Sequence, residues 1–167
     1  MKSRVLIAED DAVNGRLLES ILGGSEFEAT LVSSGEEALR ASKENKYDLL
    51  VTDLHMPGIS GIELVEKLRA EGNPVQAIIL TGEEDVSTVV RAMRVGIFDY
   101  VPKPVQPGEF VLRVKDAIEA GRLVQAAERA TRDRDRRMER QVALSVWKED
   151  VLGRDRDRYN KTLFDNL

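Results

Sequence analysis

Side chains with metal-binding or nucleophilic chemistry follow four short apolar runs of the sequence. Glu9 and Asp10 follow the run VLIA, Asp53 follows LLVT, Thr81 closes AIILT, and Lys103 follows DYVP. Carboxylates brought close together repel, and the usual remedies in proteins are a raised pKa or a bound hard cation. Mg²⁺ prefers oxygen ligands and keeps places for water and substrate oxygens, so these residue types indicate metal-assisted phosphoryl transfer.

The elements that must position these side chains alternate between strand-like and helix-like segments. Short apolar runs predict five strands, at 5–8, 29–32, 49–52, 77–81 and 98–101. Segments of helical period predict helices at 13–22, 36–44, 62–71, 86–95 and from about 109 onward. Gly23, Gly72 and Gly96 follow three of these helices, where a positive φ is expected. Strands that are apolar on nearly every residue are typical of a parallel sheet covered on both faces. We therefore predict the α/β class, with an open, doubly wound sheet whose carboxyl strand ends meet at one edge.

The composition excludes several classes of protein and of site. The chain has 167 residues, 42% of them hydrophobic and 33% charged, which suits one globular domain with a further segment. It has no cysteine, so disulfides, thiolate metal sites and thiol nucleophiles are excluded. Its formal net charge of −5 gives no overall reason to bind nucleic acid, and its apolar runs are too short to cross a membrane. We expect a cytoplasmic protein, with no nucleic-acid or membrane partner evident in this chain.

The pattern changes after Gly121. Residues 122–167 contain no proline and a single glycine, and they are rich in Arg, Asp, Glu and Ala, which predicts a long helical extension. A solvated linker helix and a dimerising coiled coil both remain open. A basic helix that binds nucleic acid is disfavoured, because Asp133 and Asp135 interleave with the arginines. We expect residues 1–121 to form one domain, and residues 122–167 to be a helical extension or linker cut short before an output domain.

Four motifs taken together resemble those of a known family. VLIAEDD, LLVTDLHMPGISGIEL, AIILTG and DYVPKP, in this order and at these intervals, are similar to the CheY-like receiver domain of two-component response regulators. The resemblance covers roughly residues 1–121 and implies a flavodoxin-like, five-stranded parallel sheet with strand order 2-1-3-4-5. It implies a protein that takes a phosphoryl group from a sensor histidine kinase or a phosphotransfer protein. Such a protein catalyses only its own phosphorylation and dephosphorylation.

The resemblance also implies roles for individual residues. Asp53 would be the phosphoacceptor, and Thr81 and Lys103 would contact the phosphoryl oxygens. Thr81 and Tyr100 would form a conformational switch, and the Lys103–Pro104 peptide bond is expected to be cis. The ligands of Mg²⁺ would be the carboxylates of Glu9, Asp10 and Asp53 and the backbone carbonyl of His55.

Plainer structural interpretations stand beside several of these roles. Asp11 is expected to be the cap or a first-turn acid of the first helix, with direct metal binding as the less favoured alternative. Gly58 and Gly61 are expected to serve the turn after the third strand. Tyr100 has the alternative of being an ordinary half-buried strand aromatic. His55 is the only histidine of the chain, and we expect its side chain to face the mouth of the cleft without acting in catalysis.

Other functions are open from the residues alone. A phosphatase of the haloacid dehalogenase type also uses an Asp nucleophile and Mg²⁺, but it needs a second Asp two residues on, where this chain has His55. A docking or dimerisation module that is never phosphorylated would not need Thr81 and Lys103 together with all of the acids. The chain could also be the receiver part of a larger hybrid kinase or enzyme. A homodimer would form through the helical extension.

Overall fold

The computed structural model describes residues 1–24, 26–82 and 86–164, with side chains described up to residue 150. Within these residues, strands and helices alternate along the chain. The strands are β1 (Ser3–Ala8), β2 (Phe27–Val32), β3 (Leu49–Asp53), β4 (Gln76–Thr81) and β5 (Asp99–Pro102). The helices are α1 (Ala12–Leu22), α2 (Gly35–Glu44), α3 (Gly61–Ala70), α4 (Val86–Val95) and α5 (Pro107–Phe164).

The five described strands form one sheet in the order β2-β1-β3-β4-β5, and every neighbouring pair is parallel. The predicted α/β class and the strand order implied by the resemblance are both confirmed. Helices α1 and α5 pack on one face of the sheet, and helices α2, α3 and α4 pack on the other. The winding reverses at β1, so the carboxyl ends of β1 and β3 lie beside the switch point, where ligands of such sheets bind.

Consecutive residues of the central strands point into two different cores. In β1, Val5 and Ile7 pack with α1 and α5, whereas Leu6 and Ala8 pack with α2, α3 and α4. The same alternation occurs in β3 and β4. Burial on both faces explains why these strands are apolar on nearly every residue. Each fully buried large aliphatic side chain contributes about 1.5–3 kcal/mol to the stability of the fold.

Local side-chain chemistry sets the starts of the helices. Asp11 caps α1, because its carboxylate accepts hydrogen bonds from the backbone N–H groups of Val13 and Asn14 at 2.9 and 2.8 Å. The predicted capping role of Asp11 is confirmed. Ser60 and Glu63 form a reciprocal capping box at the start of α3, which fixes where the chain turns back after β3.

The predicted backbone conformation is found at two of the three glycines that follow helices. Gly72 and Gly96 have φ values of 75° and 81°. The prediction for Gly23 is wrong, since its φ is −63°. Gly23 donates its N–H to the carbonyl of Ser20 at 3.2 Å, and the chain leaves α1 in an extended conformation that needs no positive φ.

The chain divides into two compact units, Met1–Leu123 and Val124–Leu167. Helix α5 contributes residues to both units, and the predicted long C-terminal helix is confirmed. Every side chain from 126 to 150 is exposed. That this part of α5 pairs with a second copy as a coiled coil stays a prediction. The last three residues of the predicted extension, 165–167, lie outside the described residues. No described helix combines the length and the apolarity that spanning a bilayer requires.

Candidate functional site

Four of the predicted site residues lie at the carboxyl edge of the sheet. Asp53 is the last residue of β3, and Thr81 is the last residue of β4. Glu9 directly follows β1, and Lys103 directly follows β5. Glu9, Asp53 and Thr81 are only 2%, 9% and 1% exposed. Charged groups this deeply buried need partners, because burial removes most of their hydration.

Three carboxylates meet at this edge. One oxygen from each of Glu9, Asp10 and Asp53 lies within 4.8 Å of the others. Asp10 is exposed, whereas Glu9 and Asp53 are buried. Mg²⁺ in proteins is held by a few carboxylates and keeps several water molecules, so a cluster of hard oxygen donors with one member facing solvent suits it. The residues present therefore fit the metal that the resemblance implies.

The Lys103 ammonium lies between the two buried carboxylates. Its Nζ is 2.9 Å from Glu9 Oε2 and 3.2 Å from Asp53 Oδ1. The backbone of Lys103 is anchored as well, since its N–H donates to the carbonyl of Thr81 at 2.7 Å. The Lys103–Pro104 peptide bond is cis, as expected. The Lys103 ammonium is thus held in contact with Asp53, the predicted phosphoacceptor.

Burial and neighbouring charges shift the pKa values of this cluster. Burial raises the pKa of Glu9 above its ordinary value, and the charge of Asp53 adds to the rise. Hydrogen bonds from Lys103 and from the backbone N–H of Asp11, at 3.1 Å, offset only part of it. Burial by itself would lower the pKa of Lys103, but the hydrogen bond to Glu9 and the two negative charges outweigh it, so the pKa of Lys103 is raised. Lys103 is therefore cationic at neutral pH.

Replacing Lys103 with Met is expected to destabilise the fold, because the buried Glu9 carboxylate loses its cation. Breaking a buried ion pair costs about 3–5 kcal/mol. The Lys103 side chain is 26% exposed, so we expect the free energy of unfolding to fall by about 2–3 kcal/mol in metal-free buffer. Urea denaturation followed by circular dichroism measures the change.

Lys115→Met is the matched control for this substitution. Lys115 pairs with Glu26, and both side chains of that pair are largely exposed. Its loss is expected to cost less than about 0.5 kcal/mol. Equal losses for the two variants would show that the Lys103 pair stabilises the fold no more than a surface pair does.

The backbone of Asp53 is closely enclosed. The Thr52 hydroxyl donates a hydrogen bond to the Asp53 carbonyl at 3.0 Å. A Cβ on Gly61 would lie 2.3 Å from the same carbonyl oxygen, so only glycine allows α3 to begin this close to β3. Gly61 was expected to serve the turn, and neither this approach nor the Thr52 hydrogen bond was predicted. The sequence feature that could have indicated this approach is a glycine at the start of a helix, eight residues after an acid that ends a strand.

The remaining two predicted residues differ in exposure. The His55 side chain is exposed, and its imidazole is not among the clustered ligand atoms of the described residues. Tyr100 is half-buried in β5 and packs against the core shared by α2, α3 and α4. It also borders an apolar groove of about 370 Å³, and the other described residues that line it are Val86, Val89, Val90 and Pro102.

An ionic network joins the strand of Tyr100 to α5. The Tyr100 backbone N–H donates to Asp99 Oδ1 at 2.8 Å. The other oxygen of Asp99 accepts a hydrogen bond from Arg113 of α5, and Arg113 also pairs with Glu109 at 2.6 Å. This network was not predicted, because nothing in the pattern of charges distinguishes Asp99 and Arg113 from other charged residues.

Comparison with known proteins decides the family. A model of the response regulator receiver domain matches residues 5–115. The chain belongs to this family. Residues 5–115 thus form a receiver domain of two-component response regulators, a family of signalling modules. Receiver domains typically bind Mg²⁺ at an acidic cluster, and response regulators interact with histidine kinases or phosphotransfer proteins.

Individual relatives agree with the family match. The receiver domain is 36% identical over 115 residues to the DNA-binding response regulator MtrA of Mycolicibacterium paratuberculosis, with 69% of this chain and 51% of the relative covered. The chain therefore spans about half the length of the curated relatives it matches. The receiver domain of the Francisella response regulator 1452 is 28% identical with a TM-score of 0.67, covering 71% of this chain and 98% of that chain. A response regulator receiver protein from Pseudomonas putida is 30% identical with a TM-score of 0.66, covering 70% and 98%.

Proposed function

We propose that this receiver domain accepts a phosphoryl group on Asp53 from a histidine kinase or a phosphotransfer protein in the cytoplasm. The observation that carries the proposal is the surroundings of Asp53. Its carboxylate is buried at a strand end with two further carboxylates within 4.8 Å and an ammonium at 3.2 Å. Three acids this close repel one another, so the arrangement is favourable when a divalent cation and a ligand with anionic oxygens occupy the site.

Three residues of the chain have distinct roles in the proposed phosphoryl transfer. An oxygen of the Asp53 carboxylate attacks phosphorus in line with the leaving nitrogen of the donor phosphohistidine. A P–O bond forms, the P–N bond breaks, and the imidazole departs with the electron pair. Lys103 pairs with a phosphoryl oxygen and Thr81 donates its hydroxyl to another. The same groups hold the acyl phosphate when water later hydrolyses it, so the domain catalyses only its own phosphorylation and dephosphorylation.

The metal ligands in this proposal come from the end of β3 and from the loops that follow β1 and β3. Asp10 and Asp53 would hold Mg²⁺ directly, Glu9 would hold it through water, and the backbone carbonyl of His55 would complete the protein ligands. Both oxygens of Glu9 already have partners in Lys103 and in the backbone N–H of Asp11, which supports an indirect role for Glu9. When bound, Mg²⁺ neutralises negative charge on the phosphoryl oxygens.

Removal of the metal tests this function. Incubation of the full chain with acetyl phosphate and Mg²⁺ is expected to add one phosphoryl group per chain, measured by intact mass. No adduct is expected in EDTA, and added Mg²⁺ is expected to restore it. An adduct that forms equally fast in EDTA would contradict the metal site. No adduct together with no Mg²⁺ binding would favour the alternative function, a receiver fold that serves as a docking or dimerisation module.

The proposed output path begins at the switch residues Thr81 and Tyr100. Asp99 precedes Tyr100 and bonds to Arg113, so a displacement of β5 is conveyed directly to α5. In this proposal residues 1–121 are the receiver unit. Residues 122–167 are the extension that passes the change to an output domain, as in the receiver part of a larger signalling protein.

The full chain is expected to dimerise through the extension. Met138 and Val142 lie one helical turn apart on the same face, and they are 61% and 58% exposed. Sedimentation velocity is expected to detect a dimer in the phosphorylated or the unphosphorylated state. The double substitution Met138→Glu and Val142→Glu is expected to yield a monomer, because a dimer seam would then bury unpaired charges.

Ala143→Glu provides the control for this pair of substitutions. Ala143 is exposed and lies about 100° around the helix from Val142, so its replacement should leave the dimer intact. A wild-type chain that sediments as a monomer with and without acetyl phosphate would rule out the dimer.

A further inference from the structure

The loop of residues 54–60 connects Asp53 to α3 and carries the His55 carbonyl. Its ends are joined to each other, since the Gly61 N–H donates to the carbonyl of Leu54 at 2.9 Å. The later part of the loop is hydrogen-bonded to helix α2. The Ile59 N–H donates to Oε1 of Glu36 at 3.1 Å, and Glu36 lies in the first turn of α2.

The loop packs closely against the start of α2. A Cβ on Gly58, whose φ is 82°, would lie 2.3 Å from Glu36 Oε1. On the side of α2, a Cβ on Gly35 would lie 2.4 Å from Ile59 Cγ1. Glycines on both sides of the contact thus let the Glu36 carboxylate reach the loop backbone. The Glu36 side chain remains exposed, and its hydrogen bond to the Ile59 N–H links it to the loop.

We propose that Glu36 is a positioning residue for metal binding, which holds the loop so that the His55 carbonyl faces the carboxylate cluster. The inference rests on the proposed function, in which that carbonyl is a ligand. Mg²⁺ demands nearly ideal octahedral geometry with ligands at about 2.0–2.1 Å, so a ligand on a loosely held loop binds it weakly. The hydrogen bond from Ile59 restricts the loop from a point four residues after the ligand.

Calorimetric titration of the full chain with Mg²⁺ tests this role. Partners that orient metal ligands change metal affinity by about 10–100-fold, and the exposed position of Glu36 reduces the expected rise in Kd for Glu36→Ala to about three- to tenfold. Glu36→Gln lacks the charge but keeps the acceptor oxygen, so its Kd is expected to stay within about twofold of the wild-type value. If the Gln variant binds as weakly as the Ala variant, long-range charge is the cause and the inference is overturned.

Glu37→Ala is the matched control on the same helical turn. The Glu37 carboxylate accepts hydrogen bonds from the backbone N–H and the hydroxyl of Ser33, which precedes α2. Its loss removes the same charge, and the Kd for Mg²⁺ is expected to change less than about twofold. An increase as large as that of Glu36→Ala would overturn the inference.

The rate of phosphorylation by acetyl phosphate gives a second readout. Glu36→Ala is expected to react more slowly than the wild type at low Mg²⁺ and equally fast at saturating Mg²⁺. A defect that persists at saturation would overturn a role in metal positioning. A wild-type chain that binds no Mg²⁺ would overturn both this inference and the proposed function. Wild-type binding with an unchanged Kd for Glu36→Ala would overturn this inference alone.

Discussion

Replacing Asp53 with Asn is expected to abolish the phosphoryl adduct while leaving the chain folded. A neutral amide is a far weaker nucleophile than a carboxylate and yields no stable acyl phosphate. The substitution nearly preserves shape, and the ion pair that it removes from Lys103 is offset by relief of repulsion with Glu9. Intact mass after incubation with acetyl phosphate and Mg²⁺ is expected to equal the unmodified mass. Circular dichroism and the urea midpoint verify that the variant is folded.

Asp11→Asn is the matched control for the loss of an acid at this edge. The Asp11 carboxylate accepts from the backbone N–H groups of Val13 and Asn14, and Asn caps helices about as well as Asp. The control chain should therefore still acquire one phosphoryl group. A phosphoryl group found on the Asp53→Asn chain, and mapped to the same residue in the wild type, would remove Asp53 from its proposed role.

Gly61→Ala is expected to damage both the fold and the metal site. The new Cβ would lie 2.3 Å from the Asp53 carbonyl oxygen and 3.1 Å from Thr52 Cγ2. The atom in the way belongs to the backbone of a buried strand, so β3 or α3 must move as a unit. Overpacking a buried position costs about 1–3 kcal/mol, and we expect the upper end of that range for the free energy of unfolding. The Kd for Mg²⁺ is expected to rise as well, because Asp53 would be displaced and its carboxylate is a proposed metal ligand.

Gly108→Ala makes the same chemical change where space is available. Apart from its chain neighbours and the backbone of its own helix, no atom of the described residues lies within 4 Å of a Cβ at Gly108, which is in the first turn of α5. Ala is favoured over Gly by about 1 kcal/mol inside helices, so this variant should be as stable as the wild type or slightly more stable. If urea unfolding gave Gly61→Ala the same midpoint as Gly108→Ala, the close approach of α3 to Asp53 would not constrain the fold.

The order of strands and helices could be predicted because burial acts on periodic patterns in the sequence. The predicted helix starts at 13, 36, 62 and 86 lie within one residue of the starts of α1, α2, α3 and α4. The acids of the site could be predicted for a related reason. Asp53 ends an apolar run, and a charge at the end of a buried strand lies at the ligand-binding edge of such a sheet.

Contacts between distant segments could not be predicted, since they depend on packing and not on periodicity. The bond from Ile59 to Glu36 joins residues 23 positions apart, and no pattern relates the two. The close approach of Gly61 to Asp53 depends on where α3 packs against β3. The sequence around Gly61 indicated only a turn. The extended backbone conformation of Gly23 likewise could not be predicted, since a glycine after a helix is compatible with either sign of φ.

In β3, a slip of one residue against β1 and β4 would not expose an apolar face, because both faces of the strand are buried. The strand is bracketed by two acids, Asp48 and Asp53. Asp48 Oδ2 accepts from the Arg4 N–H at 2.8 Å at one end, and Asp53 pairs with Lys103 at the other. A slip in either direction would draw one carboxylate away from its partner and into the apolar interior, which is strongly unfavourable. The proposed phosphoacceptor thereby also fixes the register in which the strands align.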